Sequence, residues 1–299
     1  MILRDKPSFV QLVFALRGSI VPAIAPQVLG LVALAALAVW AHDRLPGFPD
    51  IDSTSFTVFG IALSLFLGFR NNAAYDRWWE GRKLWGGLLA DLRSLAREAD
   101  LFLTRDADRL RVLRLALAFI HLHRAALRRL PDDAAARSAA QRAGLAGEAL
   151  PPPCAALDTM TAVLAQARAD GALDGYGARA LAERMASITL AQAGAERIAG
   201  TPLPYVYSLL IYRTSYLYCL LLPLALAGPA GWLAPVFVGI VAYVFLGLAE
   251  VTEDLSHPFG STPNALPLDA VCRTAEISLA PHLGETPPAP LAPVDFYLS

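Results

Sequence analysis

Few residues in this chain have the type and spacing for chemistry at a site. Glu250, Glu253, Asp254 and His257 fall within eight positions. The Asp254-x-x-His257 spacing is that of one half of a di-iron carboxylate site in a helical bundle. No second half follows, and Pro258 ends the helix at once. A capped helix end whose carboxylates pair with arginines therefore explains the run better than a metal does. His121 and His123 stand two apart on a helical stretch and point to different faces, whereas metal ligands on a helix prefer a spacing of three or four. They read as packed or solvated side chains. Cys154, Cys219 and Cys272 are far apart and odd in number, and read as free thiols. No carboxylate, histidine or cysteine set has a spacing that would serve catalysis. The sequence points away from an enzyme and calls for no metal or cofactor.

The best functional signal is of another kind. Ile61, Leu65 and Phe69 recur at i, i+4 and i+8 and so share one helix face. Arg70, Asn71 and Asn72 follow them directly. An apolar constriction above a polar ring is how a hydrophobic gate meets a wet vestibule. The same residues could equally mark where a packed apolar helix leaves the membrane, and the pattern leaves both readings open. The run from Tyr75 to Gly86 then places Trp78, Trp79 and Trp85 among charged residues, which suits the headgroup level of a bilayer. Asp76, Arg77, Glu80 and Arg82 within it can form ion pairs along a helix.

The elements that must carry these residues follow from composition and hydropathy. The chain has 299 residues, of which 56% are hydrophobic and only 17% charged, with a mean hydropathy of +0.45. Soluble domains are nearer a quarter charged, so part of this surface faces lipid. A net charge of −1 gives no basic face for nucleic acid. No secretory signal is visible at the start. Residues 21–41, 53–69, 203–227 and 232–249 are apolar runs long enough to cross a bilayer as helices, the third carrying Arg213. Between the second and third, residues 70–202 are rich in Ala, Leu and Arg at helical spacing. They read as helices over 91–103, 109–130, 154–169 and 177–199, with a loop or short helices over 131–153. The expected organisation is thus an N-terminal segment (1–20), two spans (21–69), a helical body (70–202), two more spans (203–249) and a tail (250–299) with no long helical period. Basic residues flank the ends of the spans unevenly: Arg4, Lys6 and Arg17 precede the first, and Arg70, Arg77, Arg82 and Lys83 follow the second. The positive-inside rule then puts both termini and the body in the cytoplasm. The fold class is all-α, an integral membrane protein with four transmembrane helices and a cytosolic helical bundle.

The run from Ser64 to Gly86 (Ser-Leu-Phe-Leu-Gly-Phe-Arg-Asn-Asn-Ala-Ala-Tyr-Asp-Arg-Trp-Trp-Glu-Gly-Arg-Lys-Leu-Trp-Gly) resembles the signature of the bestrophin family in its prokaryotic branch. A second stretch, Asp254 to Asp269, resembles it too, as does the start from Arg4 to Phe14. The resemblance covers the chain to about residue 280. It implies a homopentamer in the inner membrane around one axial pore, self-associating within the lipid bilayer and passing monovalent ions. It implies that Ile61, Leu65 and Phe69 face the axis as a hydrophobic neck, with Arg70, Asn71 and Asn72 at the top of a cytosolic vestibule. It places a lower aperture at Ile198, to within one residue. Animal members bind calcium with acidic residues just after Pro-Phe-Gly; here Ser261 to Leu266 has no carboxylate, so calcium activation is expected to be absent. Leu65 stands where animal members carry an aromatic. On the resemblance to prokaryotic members cations are slightly favoured, with a chloride channel of the same fold as the alternative. From another class, a membrane-anchored scaffold or sensor binding a cytosolic partner also fits the large body and the proline-rich tail.

Overall fold

The computed structural model describes residues 1–2, 15, 18–48, 52–145 and 147–299, with the backbone only at Ser53. Arg4, Lys6 and Arg17, and the start from Arg4 to Phe14, lie outside the described residues. Among those described, the fold is all-α: α1 (Val21–Arg44), α2 (Ser53–Phe102), α3 (Asp106–Leu127), α4 (Ala134–Arg142), α5 (Pro153–Ala169), α6 (Gly175–Gly200), α7 (Tyr205–Ala230), α8 (Ala234–Ser256) and α9 (Leu268–Leu283), with a 3-10 turn at Gly231–Leu233. The chain forms two compact units. One comprises the residues up to Trp78 and Pro202–His257; the other comprises Trp79–Thr201, Pro258–Ser299 and the first residues.

The first unit is the apolar one. Its core joins Ile24, Leu31 and Ala35 of α1, Leu63 and Leu67 of α2, Ile211, Cys219 and Leu222 of α7, and Val238, Ala242 and Leu246 of α8. Gly60 has a specific reason to be glycine, since a Cβ there would meet the Tyr218 hydroxyl at 2.6 Å. Two stretches, Val21–Arg44 and Tyr205–Ser256, are long and apolar enough to cross a membrane, and the second holds both α7 and α8. Pro22 sits in the first turn of α1, where its missing N–H costs least. The outward faces of these helices stay apolar: Leu29, Leu37, Val206, Leu210, Leu217, Phe237, Ile240 and Val244 are all exposed. Soluble monomers do not leave apolar patches of that extent in water. Arg213 is exposed on α7.

The second unit is built around α3, whose Val112, Leu113, Leu115, Ala116, Ala118, Phe119 and Ile120 are fully buried beneath α4, α5, α6 and α9. Many of its charged groups are paired. Arg184 on α6 reaches Asp91 at 2.6 Å and Glu98 at 2.8 Å on α2, and the Glu98 hydrogen bond, outweighing burial, holds its guanidinium further into the charged form. Asp174 caps α6 by accepting the Gly177 N–H at 2.6 Å. His121 meets Glu276 at 2.8 Å. His123 lies between the rings of Trp85, 5.5 Å away, and Phe119, 5.7 Å away, both nearly parallel to it. Both histidines are therefore packed rather than solvated. Cys154, Cys219 and Cys272 are free thiols.

Two departures from the sequence reading stand out. The helix expected over 91–103 is not a separate element but the end of a single 50-residue helix headed by the second apolar run, about 75 Å long at the usual rise. The tail also holds a helix that the sequence reading lacked. α9 buries Leu268, Cys272, Ala275 and Leu279 completely, a stripe at i, i+4, i+7 and i+11.

Candidate functional site

Along the first part of α2 the buried positions are Leu63, Leu67, Arg70 and Ala74, spaced to form one stripe. The opposite flank carries Ile61, Leu65 and Phe69, which are 65%, 57% and 55% exposed. The three expected neck residues thus share an open, wholly apolar face. Asn72, three residues beyond Phe69, continues that face and is exposed, and Asp76 one turn further is exposed as well. Among the described residues Asp76 has no ion-pair partner.

The polar ring expected below the neck is not one ring. Arg70 is 1% exposed, because one residue advances a helix by about 100° and turns its side chain into the bundle. There Nη2 donates to Glu253 Oε2 at 2.7 Å and to Ser208 Oγ at 3.1 Å, and the guanidinium lies 5.3 Å over the Tyr212 ring. Asn71 is half-buried, its Oδ1 accepting from Thr252 Oγ1 at 3.4 Å. Only Asn72 keeps the placement read from sequence. Ile198 is likewise turned inward at 3% exposure, while Glu196, Arg197 and Ala199 beside it are exposed. The helix phase of α6 is set by Ala195 and Gln192, buried on the same flank, and by Gly194, where a Cβ would stand 2.9 Å from Leu84.

The Glu253 to His257 run is held by arginines. Glu253 pairs with Arg70, and Arg77 Nε donates to the Ser256 carbonyl at 2.7 Å. A helix end held by arginines was the reading its spacing favoured. The two sequence signatures also meet inside the second unit. Phe259 is buried, and its ring and the Leu266 side chain pack so closely on Gly81 that a Cβ there would stand 3.2 Å from the ring. Asp269, at the end of the second signature, accepts from Arg124 and Arg128, each at 2.7 Å, and Arg124 also pairs with Asp133. Burial opposes the Asp269 charge, but the two guanidiniums outweigh it and hold the carboxyl below its usual range. Glu80 pairs with Arg197 of α6 at 2.5 Å, and Arg82 and Lys83 lie over the Trp79 ring. The signatures are thus largely a set of interhelical contacts, with the exposed stripe beside them.

Residues 1–281 match the family described as Bacterial/Fungal Bestrophin protein. A protein of Mesorhizobium japonicum named voltage-dependent anion channel-forming protein is 46% identical, the alignment covering 100% of this chain and 97% of the relative. YneE of Escherichia coli, which carries the same descriptive name, is 36% identical over 93% of this chain and 93% of its own. A solved bacterial bestrophin homologue from Klebsiella pneumoniae superposes with a TM-score of 0.82 at 31% identity, covering 88% of this chain and 100% of that one. Bestrophins are ion channels and not enzymes, and with its apolar helices and exposed stripe on α2 this chain belongs to the bacterial and fungal bestrophin family.

Proposed function

We propose that this chain assembles as a homopentamer in the bacterial inner membrane and passes small monovalent ions, with anions preferred to cations. α1, the first part of α2, α7 and α8 are its four spans, and both termini and the helical body stand in the cytoplasm. The observation that carries the reading is the exposed apolar stripe of Ile61, Leu65 and Phe69 on a helix of a chain in this family. Copies arranged around an axis would bring those stripes together as a narrow dry neck. Ions would shed part of their hydration there, and wetting or small helix shifts would open it. A lower constriction at the end of α6 would be lined not by the buried Ile198 but by its exposed neighbour Ala199. The preference for anions follows the names of the relatives and reverses the slight lean toward cations drawn from sequence. Calcium has no carboxylate to bind between Ser261 and Leu266, so opening would not depend on it.

A second reading, selection of cations, is favoured by one feature. Asp76 presents an exposed carboxylate, without an ion-pair partner among the described residues, on the face that carries the proposed neck residues. Purified protein in a planar bilayer under asymmetric potassium chloride separates the two. A reversal potential near the chloride equilibrium value supports the first reading, and one near that of potassium the second. Absence of any current would sink both and favour a membrane-anchored scaffold.

A further inference from the structure

The stripe that forms the proposed neck ends at Phe69, and what holds that turn of α2 in place is unusual. One flank of the turn opens on an apolar cavity of about 570 Å³ lined by Phe69, Ala73, Leu203, Pro204, Tyr207 and Leu210. A Cβ built at Gly68 would touch nothing within 4 Å. Apolar packing is thin on that flank, while Leu67 and Ala74 are sealed on the other. The firm contacts are those of Arg70: the ion pair with Glu253 on α8, the hydrogen bond to Ser208 and the stack on Tyr212, both on α7. The guanidinium is a poor choice if stability alone were at stake. Its Nε and Nη1 are buried without a hydrogen-bond partner among the described residues, and a buried ion pair seldom outperforms apolar side chains of the same volume. What a guanidinium adds is direction, because its planar fork engages an acceptor in few orientations. Glu253 is 44% exposed, so one half of the pair is reached by water and the contact can break and re-form.

We propose that Arg70 is a positioning residue for the channel. Its contacts with Glu253 and Ser208 fix the rotation of α2 at the turn carrying Phe69, and the making and breaking of that anchor sets how often the neck is open. Arg70 does not meet the ions itself. The proposal rests on the neck reading above.

The test is single-channel recording of the purified full chain in planar bilayers, comparing Glu253→Gln, Ser208→Ala, Arg70→Gln and Arg70→Lys. Glu253→Gln keeps an acceptor oxygen and removes the charge; Ser208→Ala removes one hydrogen bond and nothing else. The expected result is a change in open probability of at least about fivefold in Glu253→Gln and a smaller change in Ser208→Ala. Arg70→Lys, which keeps the charge, should lie closer to the parent than Arg70→Gln. Unitary conductance and reversal potential stay at parental values throughout. An unchanged open probability in Glu253→Gln and Ser208→Ala overturns the proposal. So does a shifted reversal potential in either arginine variant, which would put the Arg70 charge in the ion path. If an arginine variant fails to assemble, the two gentler variants decide. Alanine at Ile61, Leu65 and Phe69 is the separate control: parental conductance there would remove the neck, whatever the anchor variants do.

Discussion

The neighbouring side chains Phe69 and Arg70 on α2 differ sharply in surroundings. One is half open and apolar, the other is sealed and charged, and a single helical step separates them. The sequence placed Arg70 with Asn71 and Asn72 because adjacency is visible in a sequence and helix phase is not. A usable signal did exist. Arg70 closes an uncharged run, and Glu250 and Glu253 close another, so opposite charges were available at comparable helix ends. The burial of Ile198 has the same origin, one residue of phase on α6. The shared open face of Ile61, Leu65 and Phe69 was legible because three large apolar residues at i+4 spacing mark one face however the rest of the helix packs. Replacing Ile61, Leu65 and Phe69 together by alanine should widen and wet the neck, raising bilayer current at least about tenfold; unchanged current would rule that face out as the gate. Asp76→Asn should move the reversal potential toward the anion value by removing an exposed negative charge from the same face. No shift would mean that Asp76 lies away from the ions.

At the scale of elements, the buried polar contacts of the helical body make it sensitive to acid. His123 is fully buried between two aromatic rings, with neither ring nitrogen hydrogen-bonded among the described residues. Burial pushes its pKa from 6.5 down to about 4. The unfolded chain takes up this proton near pH 6.5 and the folded chain only near pH 4. Stability from this residue is therefore complete above pH 6.5 and falls across that window as pH drops, by about 3 kcal/mol in all. His123→Phe should stack in the same slot, raise the melting temperature at pH 7 and flatten its decline toward pH 5. A melting curve with the parental pH slope would refute the assignment. Asp269→Ala leaves Arg124 and Arg128 without their shared carboxylate and should cost about 3–5 kcal/mol, read as a fall in the unfolding midpoint. The helix α9 that Asp269 opens shows what the sequence concealed. Its spacing at Leu268, Cys272, Ala275 and Leu279 is helical, but with Pro267, Pro281 and the prolines beyond residue 286 around it the tail showed no long helical period.

For the whole molecule, composition was enough to announce lipid contact, and the exposed leucines, valines and phenylalanines of α1, α7 and α8 bear that out. The proposed sidedness and subunit number rest on a charge rule and on resemblance, because neither is written in the fold of one chain. Calcium offers a direct check at this scale. Currents from purified protein should be the same in a calcium chelator and in millimolar calcium, since the Ser261–Leu266 turn offers hydroxyl, amide and backbone oxygens but no carboxylate. Activation by calcium would require a site elsewhere.

The anchor of Arg70 also constrains how the protein is made. Its partners come 138 and 183 residues later in the chain. At ordinary translation speeds, about 5–20 residues per second, the arginine waits roughly 10–40 s for Glu253 to leave the ribosome. If the first part of α2 spans the bilayer as proposed, an unpaired guanidinium would sit at the end of a newly inserted span throughout that interval, where the cheapest refuge is the phosphate layer. The first two spans are therefore expected to enter the bilayer as a provisional hairpin, and to settle only when the last helix arrives to relieve the lipid of that charge.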